Sequence, residues 1–176
     1  MNEEIEFDYM KVPLEKYTFQ QDKIRKWVER NSDGRVLNLF AGKTELDLNE
    51  VRNDLNEDMP TNYNIDAFEL VKKLSKEGER FDTVILDPPY SYRKSMEKYN
   101  GNVASNFKRI KDKLPNILKD NEKVITFGYH SVSMGESRGF KQKRILLMSH
   151  GGAIHDTIVI IEQKLKSKGR EDGGEN

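Results

Sequence analysis

A chain of 176 residues is long enough to bury the core of one domain, and its 30 lysines and arginines are balanced by 30 aspartates and glutamates. A protein that coats duplex nucleic acid through phosphate contacts is usually basic, so we expect any nucleic-acid contact of this neutral chain to be local. The absence of cysteine excludes disulfides, thiolate metal sites and cysteine nucleophiles.

The two ends of the chain are polar. The first ten residues, MNEEIEFDYM, are acidic and lack both the basic start and the apolar stretch of a secretory signal. No apolar run approaches the length that spans a membrane, so we expect a soluble, cytoplasmic protein without a membrane partner. The last residues, 166–176, combine glycine, lysine and acids with no apolar anchor, which predicts a disordered tail. We therefore expect one domain over residues 1–165, followed by that tail.

Helical and strand-like patterns alternate along most of the chain. Strands are predicted at 35–40, 50–55, 63–66, 81–87, 123–129, 142–149 and 155–165. Helical faces are formed by Ile24, Trp27 and Val28, by Leu70, Val71 and Leu74, and by Phe107, Ile110, Leu114 and Ile117. Pro115 predicts a kink or an early end of the last helix. This order is typical of an α/β sheet with mostly parallel strands, closed by an antiparallel pair around HGGAI.

The connection after the first predicted strand is unusually short. Only the nine residues 42–50 separate it from the segment VRNDL. A crossover between parallel strands usually needs about a dozen residues or more. We therefore expect the first crossover helix to be shortened or absent.

Small or acidic residues follow several of the predicted strands. Ala41 and Gly42 follow the first, and Asp54, Asp66 and Asp87 lie at the ends of three others. In parallel α/β sheets, ligands bind beyond the carboxyl ends of the strands, so these residues are expected on one rim. Taken alone, Gly42 is explained by a tight turn and Asp66 by a helix cap. The ordered set as a whole favours a ligand site.

The motif D-P-P-Y, residues 87–90, is the most specific pattern in the sequence. A strand-ending turn accounts for the two prolines but not for the acid before them or the aromatic after them. An exocyclic amine of a nucleobase is a poor nucleophile because its lone pair is delocalised into the ring. A carboxylate and a rigid backbone carbonyl could accept its two hydrogens, while Tyr90 stacks on the extruded base. The motif therefore favours a site that holds such an amine over a plain strand-ending turn.

VLNLFAG, the two acids Asp54 and Asp66, and VILDPPY together resemble class I S-adenosylmethionine-dependent amino-methyltransferases, the DNA adenine-N6 and cytosine-N4 type. The resemblance extends over residues 17–163 and implies a Rossmann-like sheet with S-adenosylmethionine as cofactor. By this resemblance the target amine would be held by Asp87, Pro88, Pro89 and Tyr90. The cofactor would be bound by Tyr17, Thr18, Phe19, Phe40, Ala41, Gly42, Asp54, Asp66 and Ala67. Asn38 stands where many relatives carry an acid.

The segment after the motif, SYRKSMEKYNGN, mixes aromatic and cationic residues. A solvated loop is one interpretation, and a nucleic-acid contact beside the active corner is the other. Substrate contacts are assigned to Tyr92, Arg93, Lys94 and His130, although a polar residue at a strand end is the plainer interpretation of His130. No metal site is expected.

The resemblance implies methyl transfer to a nucleobase amine, with adenine N6 in DNA favoured over RNA. An RNA base amino-methyltransferase and a non-catalytic module that keeps the fold are the alternatives. The chain has no room for a large target-recognition domain, so sequence selectivity should be modest or come from loops or a partner. The sequence does not indicate an oligomeric state.

Overall fold

A computed structural model describes residues 4–129, 134–152 and 155–166, with only the backbone described at Tyr90 and Tyr99. The strands are β1 Glu6–Lys11, β2 Arg35–Asn38, β3 Asn49–Arg52, β4 Phe81–Leu86, β5 Met96–Tyr99, β6 Asn102–Ser105, β7 Leu118–Gly128, β8 Phe140–Ser149 and β9 Thr157–Lys164. The helices are α1 Asp22–Asn31, α2 Ala67–Lys76, α3 Tyr90–Lys94 and α4 Asn106–Lys113. The expected tail lies outside the described residues from position 167 onward.

Seven strands form one sheet in the order β1-β8-β9-β7-β4-β2-β3. Parallel pairing joins β1 to β8, β7 to β4, and β2 to both β4 and β3, whereas β9 is antiparallel to β7 and β8. The predicted mostly parallel α/β sheet with an antiparallel strand near the C-terminus is thus confirmed.

Helices cover both faces of the sheet because β2 and β4 alternate their apolar side chains. Val36 and Ile85 point to the face that packs against α1, together with Ile24 and Trp27. The neighbouring residues of both strands, Leu37, Val84 and Leu86, point to the opposite face. There they pack against α2 and α4 in a second core that includes Leu70, Val71 and Ile110. A strand buried on both faces reads as a nearly continuous apolar run, and in FDTVIL only Asp82 is not fully buried.

No helix forms in the crossover from β2 to β3, as expected from its length. Residues 39–48 form an irregular connection, and β3 still pairs in parallel with β2. The prediction of a strand at 63–66 is wrong, since Tyr63 makes only one isolated parallel bridge, to Asn53. Asp66 draws the following residues into α2 instead by capping that helix.

The first strand of the chain was not predicted. β1 forms the edge of the sheet beside β8, and its Phe7 and Tyr9 remain largely exposed. The period-two alternation of IEFDYM is the signal for this strand, but the acids in it suggested only a polar terminus. β1 brings the N-terminal segment to the far edge of the sheet, so that residues 12–21 must return across the rim to reach α1.

The segment after D-P-P-Y is ordered rather than a simple loop. It forms α3 and then a two-stranded hairpin of β5 and β6, which reverses at Asn100 and Gly101. Both reversal residues have positive φ, 47° and 83°, which is typical of an Asn-Gly hairpin turn. α4 then ends at Lys113, where a 3-10 turn, Leu114–Asn116, contains Pro115, as that proline predicted. Among the described residues, no helix is long and apolar enough to cross a membrane.

Candidate functional site

One cavity of about 420 Å³ opens at the carboxyl ends of the parallel strands, a volume within the range of small-molecule and cofactor sites. Fourteen of the residues assigned from the sequence line it: Tyr17, Thr18, Phe19, Phe40, Ala41, Gly42, Asp54, Asp66, Ala67, Asp87, Pro88, Pro89, Tyr92 and Arg93. Lys94 is exposed and does not line this cavity. His130 lies outside the described residues, and the side chain of Tyr90 is not described.

The turn after β2 is held on both sides of Gly42. This glycine has φ +57°, and a Cβ at its position would lie 3.1 Å from Cδ1 of Tyr17. Its N–H donates to Asp54 Oδ2 at 3.0 Å, and its carbonyl accepts from Arg52 Nη2 at 3.1 Å. Glycine is therefore required here both by the backbone angle and by the close ring of Tyr17.

Asp54 lies at the cavity with part of its hydrogen-bonding capacity already used. Its second oxygen, Oδ1, accepts from the backbone N–H of Asn56 at 2.9 Å. A carboxylate offers about four lone-pair positions, so each oxygen can still accept one further hydrogen bond. The arrangement orients the carboxylate and leaves it able to receive a pair of hydroxyl groups.

Asp66 performs the helix-capping role that its sequence position suggested. Its Oδ1 accepts from the N–H groups of Phe68 at 2.9 Å and Glu69 at 3.1 Å, which fully occupies that oxygen. The hydroxyl of Tyr92 donates to Oδ2 at 3.1 Å. One acceptor position therefore remains on Oδ2.

Tyr92 lies on the same side of the cavity as the expected cofactor residues. Its ring meets Phe40 edge-on with centroids 5.2 Å apart. Burial and the charge of Asp66 raise the pKa of Tyr92, so its hydroxyl stays protonated and remains a donor. The sequence grouped Tyr92 with the substrate residues, whereas its contacts are with Phe40 and Asp66.

Asp87 leaves β4 and meets a residue from the returning N-terminal segment. Thr18 donates a side-chain hydrogen bond to its carboxylate. Burial raises the pKa of Asp87, and the Thr18 hydrogen bond and the charge of Arg93 offset part of that rise. The carboxylate that the motif predicted is therefore a desolvated group beside the Thr18 hydroxyl and the charge of Arg93.

The two prolines after Asp87 differ in what their carbonyls do. The carbonyl of Pro89 caps α3, accepting from the N–H groups of Tyr92 at 3.0 Å and Arg93 at 3.4 Å. Within the described parts of the chain, no backbone donor reaches the carbonyl of Pro88, which is buried. Pro88 thus supplies a carbonyl with free acceptor capacity next to Asp87.

The remaining wall of the cavity contains residues that sequence reasoning did not select. Tyr129 follows β7, half-exposed, and its ring lies 5.3 Å from that of His155. The ring of His150 joins the carbonyl of Val12 at 3.1 Å to the hydroxyl of Thr157 at 2.9 Å. The rule that drew attention to Asp87 applies equally to Tyr129, which also ends a parallel strand. No local pattern identifies the bridging position of His150.

Over the ranges that the structure describes, no group of three or more histidine, aspartate or glutamate side chains could hold a metal ion.

Comparison with known proteins finds similar structures but no similar sequence. No protein-family model matches the chain, and no curated protein sequence matches it. A SAM-dependent methyltransferase from Agrobacterium tumefaciens superposes with a TM-score of 0.54 and 15% identity, covering 84% of this chain and 62% of that one. A putative SAM-dependent methyltransferase from Streptococcus mutans gives 0.54 and 14%, covering 80% of this chain and 48% of that one.

A third structure is closer in size. The 1,6-didemethyltoxoflavin-N1-methyltransferase of Burkholderia thailandensis, with 1,6-didemethyltoxoflavin and S-adenosylhomocysteine bound, gives a TM-score of 0.51 and 12% identity. The match covers 79% of this chain and 74% of that one. This chain therefore spans about half to three quarters of the length of these proteins. At such low identities the likeness concerns the fold, and the chain has the Rossmann-like fold of these S-adenosylmethionine-dependent methyltransferases.

Proposed function

We propose that this chain is an S-adenosylmethionine-dependent methyltransferase that acts on the exocyclic amine of a nucleobase, with adenine N6 in DNA as the favoured substrate. The proposal treats residues 1–165 as one catalytic domain that acts in the cytoplasm. The observation that carries it is that one cavity contains both the glycine turn with Asp54 and the D-P-P corner with Asp87. A donor of methyl groups and an amine that receives them must meet in such a common space.

The residues at the glycine end of the cavity suit S-adenosylmethionine. Gly42 lets the protein backbone approach a ligand closely, and the oriented carboxylate of Asp54 suits a ribose diol. The free position on Asp66 Oδ2, beside the aromatic rings of Phe40 and Tyr92, suits an adenine with its amine. Ala41, Ala67 and the segment Tyr17, Thr18 and Phe19 complete the lining of this end. The bound cofactor would supply an electrophilic methyl group.

The residues at the D-P-P end suit the amine that receives that group. The Asp87 carboxylate and the Pro88 carbonyl are two acceptors for the two hydrogens of one amine. Accepting both hydrogens favours a tetrahedral nitrogen, which frees its lone pair from the ring. The hydroxyl of Thr18 lies beside one of these acceptors, and the other belongs to the proline backbone that leads into α3. The surplus proton leaves to Asp87 or to solvent, and Tyr90 would stack on the base.

A small heteroaromatic amine is a second candidate substrate. The Burkholderia thailandensis neighbour, of which the match covers 74%, is by its name an N1-methyltransferase of the small molecule 1,6-didemethyltoxoflavin. A free nucleoside or another nitrogen heterocycle would present the same amine to Asp87. An RNA base is the further alternative, because D-P-P-Y enzymes act on RNA bases as well.

The test is methyl transfer by the purified chain from labelled S-adenosylmethionine. Duplex DNA, single-stranded DNA, RNA and free nucleosides are offered in parallel, and the products are digested and identified as nucleosides. We expect label on adenine N6 of DNA. Label on RNA or on free nucleosides alone would replace DNA as the substrate while leaving the amine chemistry intact.

Asp87→Ala provides the test of the chemistry itself. In single-turnover reactions with saturating cofactor and nucleic acid, this variant should lose most of the methyl transfer, because the carboxylate engages the amine in the transition state. Its affinity for S-adenosylmethionine, measured by calorimetry, should stay near the wild-type value. Transfer by Asp87→Ala at the wild-type rate would refute the mechanism. Cofactor binding by the wild type without transfer to any of these substrates would support a non-catalytic module.

A further inference from the structure

Arg93 lines the cavity that contains Asp87 and is only partly buried. Its Nη1 has no hydrogen-bond partner among the described residues, but it is closed off from solvent, so a ligand in the cavity does not reach that nitrogen either. The part of the guanidinium that is accessible from the cavity is the part that can bind a ligand. A donor that loses its water when a ligand enters must be satisfied by that ligand, because an unpaired buried donor is costly.

The position of this guanidinium is fixed by packing rather than by an ion pair. It stacks over the ring of Phe107 in α4, with 5.0 Å between the guanidinium carbon and the ring centroid. Its backbone N–H is held by the carbonyl of Pro89 at the start of α3. The charges of Arg93 and Asp87 act on each other, but the two side chains form no direct ion pair among the described residues, so the guanidinium donors stay available. Stacking and capping together keep a donor-only side chain beside the D-P-P corner.

The nucleobases differ in what lies next to their exocyclic amine. In adenine and cytosine, the ring nitrogen beside the amine on the pairing edge is an acceptor. In guanine, the ring nitrogen on that side carries a hydrogen and is a donor. Arginine has five N–H donors and no acceptor, so it can complement the first arrangement and must clash with the second.

We propose that Arg93 is a specificity-determining residue that donates a hydrogen bond to the ring nitrogen next to the target amine. This inference rests on the proposed function and adds the base selectivity of the same site. Asp87 and Pro88 receive the amine, Arg93 reads the adjacent acceptor, and the enzyme accepts adenine or cytosine and rejects guanine. Reading the pairing edge in this way requires a base that is unpaired or flipped out of the duplex.

The test uses single-stranded DNA in which the target adenine is replaced by 1-deazaadenine or by 7-deazaadenine. Both analogues keep the amine, and only the first lacks the acceptor that Arg93 would contact. At pH 8 we expect kcat/KM of the wild type to fall by about ten- to a hundredfold with 1-deazaadenine, the range for a lost hydrogen bond to a charged group. With 7-deazaadenine it should change little. If the wild type methylates cytosine instead, 3-deazacytosine takes the place of 1-deazaadenine.

Arg93→Met tests whether the loss of activity with 1-deazaadenine comes from the missing contact to Arg93 or from a different reactivity of the analogue's amine. This variant should lose about as much activity on adenine as the wild type loses on 1-deazaadenine, and it should no longer distinguish the two bases. Arg93→Gln, which keeps one uncharged donor, should retain part of the discrimination. Arg30→Met serves as the matched control, because Arg30 is an exposed arginine of α1 outside the cavity. Thermal unfolding and cofactor affinity of all three variants establish that each is folded.

The outcomes distinguish this inference from the proposed function. A wild-type enzyme that methylates 1-deazaadenine as well as adenine would overturn the role of Arg93. So would an Arg93→Met variant that still discriminates between the two bases as strongly as the wild type. In both cases methyl transfer to the amine would stand. A wild type that methylates no base at all would overturn the proposed function instead.

Discussion

The hydrogen bond from Thr18 to Asp87 connects the two ends of the proposed site at a single pair of side chains. Thr18 comes from the segment that returns across the sheet rim, and Asp87 comes from the end of β4. Burial raises the pKa of Asp87, whereas the Thr18 hydroxyl lowers it because it stabilises the charged form. Thr18 therefore helps to keep the carboxylate ionised, which is the form that accepts amine hydrogens.

Thr18→Val should shift the acid side of the pH profile. Removal of the hydroxyl raises the pKa of Asp87 further, so activity should be lost at a higher pH as the solution is acidified. Well above that pKa, kcat/KM should approach a plateau that is less affected. The measurement is kcat/KM against pH for the wild type, Thr18→Val and Thr18→Ser. Identical acid limbs for the wild type and Thr18→Val would show that Thr18 does not influence this group.

Asp54→Ala tests the cofactor end at the same scale. The loss of a charge-assisted hydrogen bond to a ribose hydroxyl should weaken S-adenosylmethionine binding by about 1.5–3 kcal/mol. The variant also frees the N–H of Gly42, so part of the loss comes from a looser turn. Calorimetric titration measures the change, and Asp58→Ala, an exposed acid of the same loop outside the cavity, is the control. Unchanged affinity would make Asp54 only a turn residue.

At the scale of elements, a buried ion pair holds the connection from β2 to β3 that a crossover helix would otherwise hold. Arg52 and Glu50 of β3 are nearly inaccessible, and Arg52 Nε lies 3.1 Å from Glu50 Oε1. Arg52 binds the carbonyls of Gly42 and Pro60, while Glu50 accepts from the N–H of Leu46 at 3.0 Å. The two side chains thus hold the irregular connection at Gly42 and at Leu46.

Arg52→Leu should destabilise the protein by about 3–5 kcal/mol, because it leaves Glu50 as a buried charge without its partner. Burial already raises the pKa of Glu50. The double variant Arg52→Leu with Glu50→Gln should recover part of the loss, since the unpaired charge is then gone. Urea unfolding of the wild type, both single variants and the double variant completes the cycle. Purely additive effects would mean that the pair is not coupled.

The sequence predicted best the strands that are buried on both faces of the sheet and the elements that end in a characteristic residue, such as an acid or a proline. FDTVIL and the acid that follows it identify β4 and Asp87, because a central strand is buried on both faces and only Asp82 of this one is partly exposed. β1 was missed because an edge strand with one solvated face has the same composition as a polar terminus. The strand at 63–66 was overpredicted because Asp66 favours a helix cap, and a cap ends an extended run. Thr18 could not be assigned to Asp87, since nothing local relates residues that are so far apart in the chain.

At the scale of the whole molecule, positive and negative side chains also lie next to each other on the surface, so the charge is balanced locally as well as in total. Many cations of the described residues already pair with acids, among them Arg25 with Asp22, Arg35 with Glu79, Lys72 with Glu69, Lys73 with Glu77, Arg109 with Glu97, Lys119 with Asp82, Lys123 with Asp33, Arg138 with Asp112 and Lys164 with Asp120. Cations held in this way are less available to phosphates. The base, received in the cavity, should therefore contribute more to binding than the nucleic-acid backbone does.

The salt dependence of DNA binding tests this distribution of charge. Each neutralised phosphate of duplex DNA contributes about −0.9 to the slope of log K against log salt concentration, so two or three contacts predict a slope of about −2 to −3. Fluorescence anisotropy with a labelled duplex, at saturating S-adenosylhomocysteine and a series of salt concentrations, gives the slope. Asp87→Ala should leave it unchanged, because the amine contact releases no counterion. A much steeper slope would mean that the folded chain presents a broad basic face, and DNA would then be held mainly by its phosphates rather than by the base.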